Sequence, residues 1–376
     1  MVGLSGLINQ LMKFVFRTDA SLLIGTGHVM RCLAFADLLL AKGAECVFIC
    51  REHEGNLIGH IRGKGHLVHS LPVVGDTDTS LDHSSWLGAT QTQDARACVS
   101  LLSEIQPDWL IVDHYAIDAH WENSLEKHCG HLMVIDDLAD RSHNCSVLLD
   151  QTHGRNIADY YPFVPKECLV LCGASYALLR PEFVELRAYS LQRRARPELK
   201  RLLISMGGVD KDNVTSEVLT ALRDCPLPRD CEITVVLGET APWRADVELR
   251  AEGMPWKVTL RYAVTNMAEL LADSDLAIGG SGSATWERCC MGLPSVMVVL
   301  AENQNRIAEA VEDAGAGVRL DASSLYLLRH IPLIAGDQIK LRSMSKAASA
   351  ICDGTGTTEI AARIMRFSYE DSVALQ

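Results

Sequence analysis

Short apolar runs of strand length alternate with helical patterns along almost the whole chain of 376 residues, and this rhythm restricts the fold more than any single motif. The first series of runs is Lys13–Arg17, Cys46–Cys50, Trp109–Asp113, Leu132–Asp136, Val147–Asp150 and Leu169–Cys172. After Leu186 the composition turns basic at Gln192-Arg193-Arg194-Ala195-Arg196-Pro197, which reads as a linker. A second series then runs Arg201–Met206, Glu232–Gly238, Lys257–Arg261, Leu276–Gly279 and Ser295–Leu300. Strands apolar on both faces and alternating with helices build parallel sheets covered on both sides. The expected fold is α/β, with two doubly wound Rossmann-like domains facing a cleft, 12–190 and 200–353. Residues 354–376 read as a terminal helix able to cross back onto the first domain, and 1–11 as an extension.

An apolar content of 48% with 22% charged residues is that of an ordinary soluble globular protein. The net charge of −13 excludes non-specific nucleic-acid binding, so an anionic ligand has to be held by local donors. Thirteen cysteines are an odd number with no Cys-x-x-Cys pair, which fits reduced thiols in a cytoplasmic protein better than disulfides or a metal. No His, Cys and Asp grouping has metal-ligand spacing, and no cofactor is expected. The first residues lack a basic n-region, and no apolar run approaches the roughly 20 residues that span a bilayer. A cytoplasmic monomer acting on a small molecule, without membrane or nucleic acid, is the expectation.

The first strand runs into Gly25-Thr26-Gly27-His28, and a helical pattern follows from Val29 to Leu40. Two glycines let the backbone approach a ligand, and a helix start offers free N–H groups to an anion. His28 adds an imidazole at the rim, a group suited to proton transfer beside a bound phosphate. Asp113-His114-Tyr115 ends another strand at the edge where cleft contacts gather; His114 reads equally as a capping or packing residue. Asp136-Asp137 and His153 are weaker candidates of the same kind.

The second half opens in the same way, with Ile204-Ser205-Met206-Gly207-Gly208 and a helix near Asn213 that Asp210 or Asp212 could cap. Leu276–Gly279 then runs into Gly280-Ser281-Gly282-Ser283 and a helix carrying Glu287. Small residues, hydroxyls and a helix dipole together suit a phosphate. Glu287 is either an acceptor for ribose hydroxyls or a solvated first-turn acid. Glu302-Asn303-Gln304 follows the next strand, its amides either helix caps or cleft contacts.

In chain order from Met12 to about residue 315, Lys13–Arg17 with Gly25-Thr26-Gly27-His28-Val29-Met30-Arg31, Asp113-His114-Tyr115, Ser175-Tyr176-Ala177-Leu178-Leu179-Arg180-Pro181-Glu182-Phe183, Met206-Gly207-Gly208-x-Asp210 and Glu302-Asn303-Gln304 resemble the motifs of one family. It is the UDP-2,4-diacetamido-2,4,6-trideoxy-β-L-altropyranose hydrolases of pseudaminic acid biosynthesis, a route to flagellin glycosylation. The resemblance implies the GT-B fold, shared with the transferase that adds N-acetylglucosamine to lipid-linked muramyl-pentapeptide. It implies water as acceptor, an inverting reaction without metal, and His28 as general base. UDP would lie on Gly207, Gly208, Ser281, Ser283 and Glu287, and the substrate against Gly25, Gly27, Arg31, Tyr115, Arg180, Asn303 and Gln304. The chain departs from the family in its N-terminal extension and beyond Leu320. The rival readings are a GT-B glycosyltransferase, a UDP-N-acetylglucosamine 2-epimerase and a non-catalytic nucleotide-sugar sensor. A sensor has no use for His28.

Overall fold

The structure, a computed structural model, describes residues 11–79, 81–239, 241–331 and 336–374; residues 1–10 of the expected extension lie outside them. Among the described residues, thirteen strands form two wholly parallel sheets. The first contains β1 (Lys13–Thr18), β2 (Glu45–Arg51), β3 (Leu67–Leu71), β4 (Trp109–Asp113), β5 (His131–Ile135), β6 (Val147–Asp150) and β7 (Leu169–Cys172), in the order β3-β2-β1-β4-β5-β6-β7. The second contains β8 (Arg201–Ser205), β9 (Glu232–Leu237), β10 (Lys257–Tyr262), β11 (Leu276–Gly280), β12 (Ser295–Val299) and β13 (Gly317–Asp321), in the order β10-β9-β8-β11-β12-β13. Chain order reverses between β1 and β4, and again between β8 and β11. Such a switch point opens a crevice beyond the carboxyl ends of the strands, where doubly wound sheets bind ligands.

Central strands are buried along their length because helices cover both faces. Phe16 stacks on Phe48 with ring centroids 4.9 Å apart beneath helix Gly27–Ala41, while Val15, Val47, Leu110 and Trp121 fill the opposite face. Each such side chain contributes about 1.5–3 kcal/mol of hydrophobic stabilisation. Charge is buried here too. Arg17 at the end of β1 makes a two-pronged pair with Asp94, at 2.8 and 3.1 Å, and also meets Asp19 at 2.8 Å. Those contacts fix the point where the chain leaves the sheet for the glycine turn. His114 belongs to the same buried group: its Nε2 lies 3.3 Å from Asp19, its Nδ1 accepts the Ala116 N–H, and burial pushes its pKa down. It packs; it does not face the cleft.

β3 and β13 are absent from the strands expected from sequence, and each lies at a sheet edge. Edge strands keep a half-exposed face, so Leu67-Val68-His69-Ser70-Leu71 and Gly317-Val318-Arg319-Leu320-Asp321 lack a continuous apolar run. The domain boundary expected at 190 also shifts. Helix Pro181–Arg193 packs on the second sheet, with Phe183 beside Leu271, Trp286 and Cys289. The basic run after it is not a solvated linker, because Arg194 is buried and donates to the carbonyls of Leu271 at 2.7 Å and Ser274 at 2.6 Å. In the other direction, helix Gly356–Ala374 places Ile360, Ala361 and Ile364 in the core of the first sheet.

Candidate active site

Ser21 shapes the turn between β1 and helix Gly27–Ala41. Its Oγ accepts the N–H groups of Leu23 and Ile24, and its carbonyl accepts the Gly25 N–H at 2.9 Å. Gly25 has φ +80°, a conformation glycine adopts without penalty. Thr26 caps the helix without a side-chain bond and no acid occupies the first turn, so the helix start keeps donors for a ligand.

His28 follows at once, and its Nδ1 lies 2.6 Å from Asp113 Oδ1. The parallel register sets Thr18 opposite Asp113, so the end of β4 arrives beside the turn that leaves β1. Arg31, one helical turn beyond His28, clamps the same carboxylate through Nε at 2.6 Å and Nη2 at 2.7 Å. Burial opposes ionisation of Asp113, but Arg31 and His28 outweigh it and hold the group well below the usual carboxylate range. A carboxylate on Nδ1 fixes the imidazole with Nδ1 protonated, leaving Nε2 as the basic nitrogen. Arg31, expected against the substrate, is buried and engaged here, with Nη1 also 3.1 Å from Asp137.

Tyr115 stands edge-on to His28, ring centroids 4.7 Å apart, and its hydroxyl donates to Asp137. Trp86 stacks on Tyr115 at 5.6 Å and His83 lies 4.5 Å from Trp86, so aromatic rings wall the histidine. Burial first, and the Arg141 charge second, lower the His83 pKa and favour a neutral ring. In the sequence Asp113 stands out as part of Asp113-His114-Tyr115 and Asp137 only as a weaker candidate, and neither is linked there to His28 or Arg31; the strand order and the register of β1 with β4 make that link, while His83 and Trp86 carry no motif.

The second half meets this centre directly. Asn303 Nδ2 lies 3.5 Å from the Tyr115 hydroxyl. A Cβ built on Gly27 would stand 3.1 Å from Ser283 Oγ, and one on Gly208 would meet Thr26 Cγ2 at 2.8 Å. The two glycine turns therefore touch across the cleft. Gly207 has φ +92° and open space beside it. Asp210 caps the next helix by accepting the N–H groups of Val214 at 2.9 Å and Thr215 at 3.0 Å, whereas Asp212 pairs with Lys211.

Ser281 is wholly buried and its Oγ donates to the Val298 carbonyl, so it shapes the loop and offers no hydroxyl to the cleft. Ser283 is the serine at the cleft. Gln304 Oε1 accepts the N–H groups of Ser281 at 3.3 Å and Leu300 at 3.1 Å, tying the loop to the following segment. Arg180 reaches the Thr265 carbonyl at 3.3 Å and Glu182 at 3.2 Å. Glu287 has its pKa pushed up to about 7 by burial, against the pull of Arg180 and Arg288. Among the described residues no group of three or more His, Cys, Asp or Glu is gathered as a metal site, and no helix is long and apolar enough to cross a membrane.

Residues 202–362 match the glycosyltransferase family 28 C-terminal domain. The chain is 26% identical, over 79% of its length and 95% of the relative's, to the UDP-2,4-diacetamido-2,4,6-trideoxy-beta-L-altropyranose hydrolase of Campylobacter jejuni. It is also 26% identical over 78% of its length to an uncharacterized protein of Methanocaldococcus jannaschii, of which it spans 56%. Acinetobacter baumannii MurG superposes with a TM-score of 0.67 at 13% identity, covering 94% of this chain and 99% of that one. UDP-GlcNAc 2-epimerase from Neisseria meningitidis superposes with a TM-score of 0.62 at 12% identity over 94% and 99% of the two chains. At such identities the likeness to both is one of fold. The resemblance read from the motifs thus runs along most of the chain: the fold is GT-B, residues 202–362 match the glycosyltransferase family 28 C-terminal domain, and the sequence is similar to the UDP-2,4-diacetamido-2,4,6-trideoxy-beta-L-altropyranose hydrolase of Campylobacter jejuni.

Proposed function

We propose that this protein hydrolyses UDP-2,4-diacetamido-2,4,6-trideoxy-β-L-altropyranose to UDP and 2,4-diacetamido-2,4,6-trideoxy-L-altropyranose. The observation that carries the reading is the His28–Asp113 contact of 2.6 Å at a glycine turn that faces the second domain's glycine–serine loop. The similarity to the Campylobacter jejuni hydrolase supports the choice of sugar and of water as acceptor.

UDP binds with its ribose on Glu287 and its diphosphate along Gly207, Gly208 and Ser283, and the sugar lies toward His28 and Tyr115. A water oxygen attacks the anomeric carbon while the bond from that carbon to the diphosphate oxygen breaks. The bonding electrons leave with UDP, and the water proton passes to His28 Nε2. Asp113 stabilises the imidazolium that forms, as its charge is fixed by Arg31. Attack opposite the leaving group inverts the anomeric configuration. UDP is a good leaving group, so backbone donors and Asn303 suffice to stabilise its charge. No metal enters any of these steps.

The test follows UDP release from this substrate with EDTA present and no acceptor, using wild type and His28→Ala. Rapid release by wild type, reduced about 10²–10⁴-fold in the variant with UDP binding kept, is expected. Release that depends on an added acceptor extract would make the protein a transferase and overturn the reading.

A further inference from the structure

We infer that Arg288 is a positioning residue that supplies the fixed counter-charge for a diphosphate seated on the two glycine turns of the second domain. The inference rests on the nucleotide-sugar reading of the cleft.

Arg288 projects from helix Ala284–Cys290 and is 4% exposed. Its Nη2 donates to the Gly280 carbonyl at 2.8 Å and to Thr285 Oγ1 at 3.0 Å. Its Nη1 lies 2.8 Å from where a Cβ on Gly279 would stand, a point also 2.8 Å from the Ser205 carbonyl. The guanidinium therefore lies between the ends of β8 and β11, at the switch point, behind the strand ends that lead into Gly207-Gly208 and Ser281-Gly282-Ser283. Glycine is required at 279 because the guanidinium fills its side-chain space.

The other buried arginines show what is unusual here. Arg17, Arg31, Arg51, Arg141 and Arg155 each pair with an aspartate. Arg194 has no carboxylate, but it is spent on the carbonyls of Ser190, Leu271 and Ser274. Arg288 has one carbonyl and one hydroxyl and no ion pair among the described residues; its buried Nε lacks a hydrogen-bond partner, as do those of Arg51 and Arg194, but Arg51 has an aspartate and Arg194 several carbonyls on its other nitrogens. Its chain neighbour Glu287, pushed up to about 7, carries only part of a charge near neutrality. Burial lowers the Arg288 pKa in turn. A buried, unpaired cation is costly, and proteins keep such groups where a ligand completes them.

A phosphate on these turns completes this one in two ways. The interior dielectric carries the positive charge through the loop with little screening. The bond to the Gly280 carbonyl also occupies an oxygen that would otherwise repel the anion.

Calorimetric titration with uridine and with UDP tests this on wild type, Arg288→Met, Arg288→Gln and Arg288→Lys. Arg288→Gln can still donate to Gly280, which separates the charge from the hydrogen bond. The expected result is the preference for UDP over uridine reduced at least about tenfold in Arg288→Met and Arg288→Gln and much of it restored in Arg288→Lys, with any loss common to both ligands following from the rise in the Glu287 pKa when the neighbouring charge is removed. Equal weakening of uridine and UDP would make Arg288 a scaffold residue and overturn the proposal. So would full retention of the preference for UDP over uridine in Arg288→Gln. If wild type itself shows no such preference, the nucleotide-sugar reading of the cleft fails, a result distinct from either.

Discussion

Replacing Gly208 with alanine adds one methyl group where the two halves of the molecule meet. Gly208 lies outside the left-handed region, so alanine brings no backbone strain there; the cost is one of space. The new Cβ would stand 2.8 Å from Thr26 Cγ2 and 3.1 Å from Thr26 Cβ, inside van der Waals contact. Neither side can retreat. Thr26 is the N-cap of a helix anchored in the first core, and Gly208 is packed closely against Gly238, its carbonyl carbon 2.7 Å from where a Cβ on Gly238 would be. Overpacking of this kind costs about 1–3 kcal/mol. Because the clash exists only when the turns touch, that cost falls on the closed arrangement, and kcat/KM for the UDP-sugar should drop about 5- to 150-fold. The affinity for UDP alone, whose diphosphate lies along Gly208, measures what the methyl does within the second domain, so the part of the kcat/KM loss that exceeds the change in UDP affinity is the share due to the meeting of the turns. Thr26→Ala removes Oγ1 and Cγ2, so Thr26→Ala/Gly208→Ala should recover most of the loss in a double-mutant cycle. Steady-state UDP release and UDP calorimetry on the four proteins measure this. A Gly208→Ala enzyme with unchanged kcat/KM, or a double variant as poor as the single one, would refute the idea that the turns must meet for turnover.

Two further outcomes are expected. Asp113→Asn keeps the shape of the site but removes the charge that fixes the His28 tautomer, so kcat should fall about 10²–10⁴-fold with UDP affinity kept, measured by the same assay. Glu287 gives a pH dependence whose sign follows from its raised pKa. The free group protonates below about pH 7, whereas ribose hydroxyls bind its ionised form, so binding lowers the pKa and releases a proton. Uridine affinity should therefore rise with pH up to about 7 and level off above it, a difference of roughly tenfold between about pH 5.5 and pH 8. Uridine has no phosphate to titrate in that range. A flat profile in wild type, or one that persists in Glu287→Gln, would remove Glu287 from the ribose site.

The α/β architecture was legible because buried parallel strands write themselves as apolar runs, and the central strands appear at nearly their true bounds. What the sequence hid was of two kinds. β3 and β13 lie at edges and keep polar residues such as His69 and Arg319, so neither reads as a buried run. Arg194 looked like part of a solvated linker because a charge buried against carbonyl groups has the same letter as one in water. In the site, residues within a single turn, such as Gly25 to His28, could be read locally. Asp113 and Asp137 reach His28 and Arg31 from 85 and 106 residues away, and only the sheet register brings them there. Ser281 shows the converse limit, since its position in a glycine–serine loop does not reveal which way a hydroxyl turns.

The chain crosses between its halves twice, once before helix Pro181–Arg193 and once before helix Gly356–Ala374. The two crossings lie against each other: Thr357 Oγ1 donates to the Leu179 carbonyl at 2.7 Å, and a Cβ on Gly356 would meet the Tyr176 carbonyl carbon at 2.5 Å. A single connector would leave the halves a swivel, free to rotate about several axes. Two connectors pinned side by side leave one bending axis, so an opening cleft returns Gly208 to Thr26 along the same arc. The last helix thus does more than cover the first sheet. Cutting the chain before Thr357 would turn a door on its hinge into two bodies on a string, and the rate at which the base and the diphosphate site find each other would become a search.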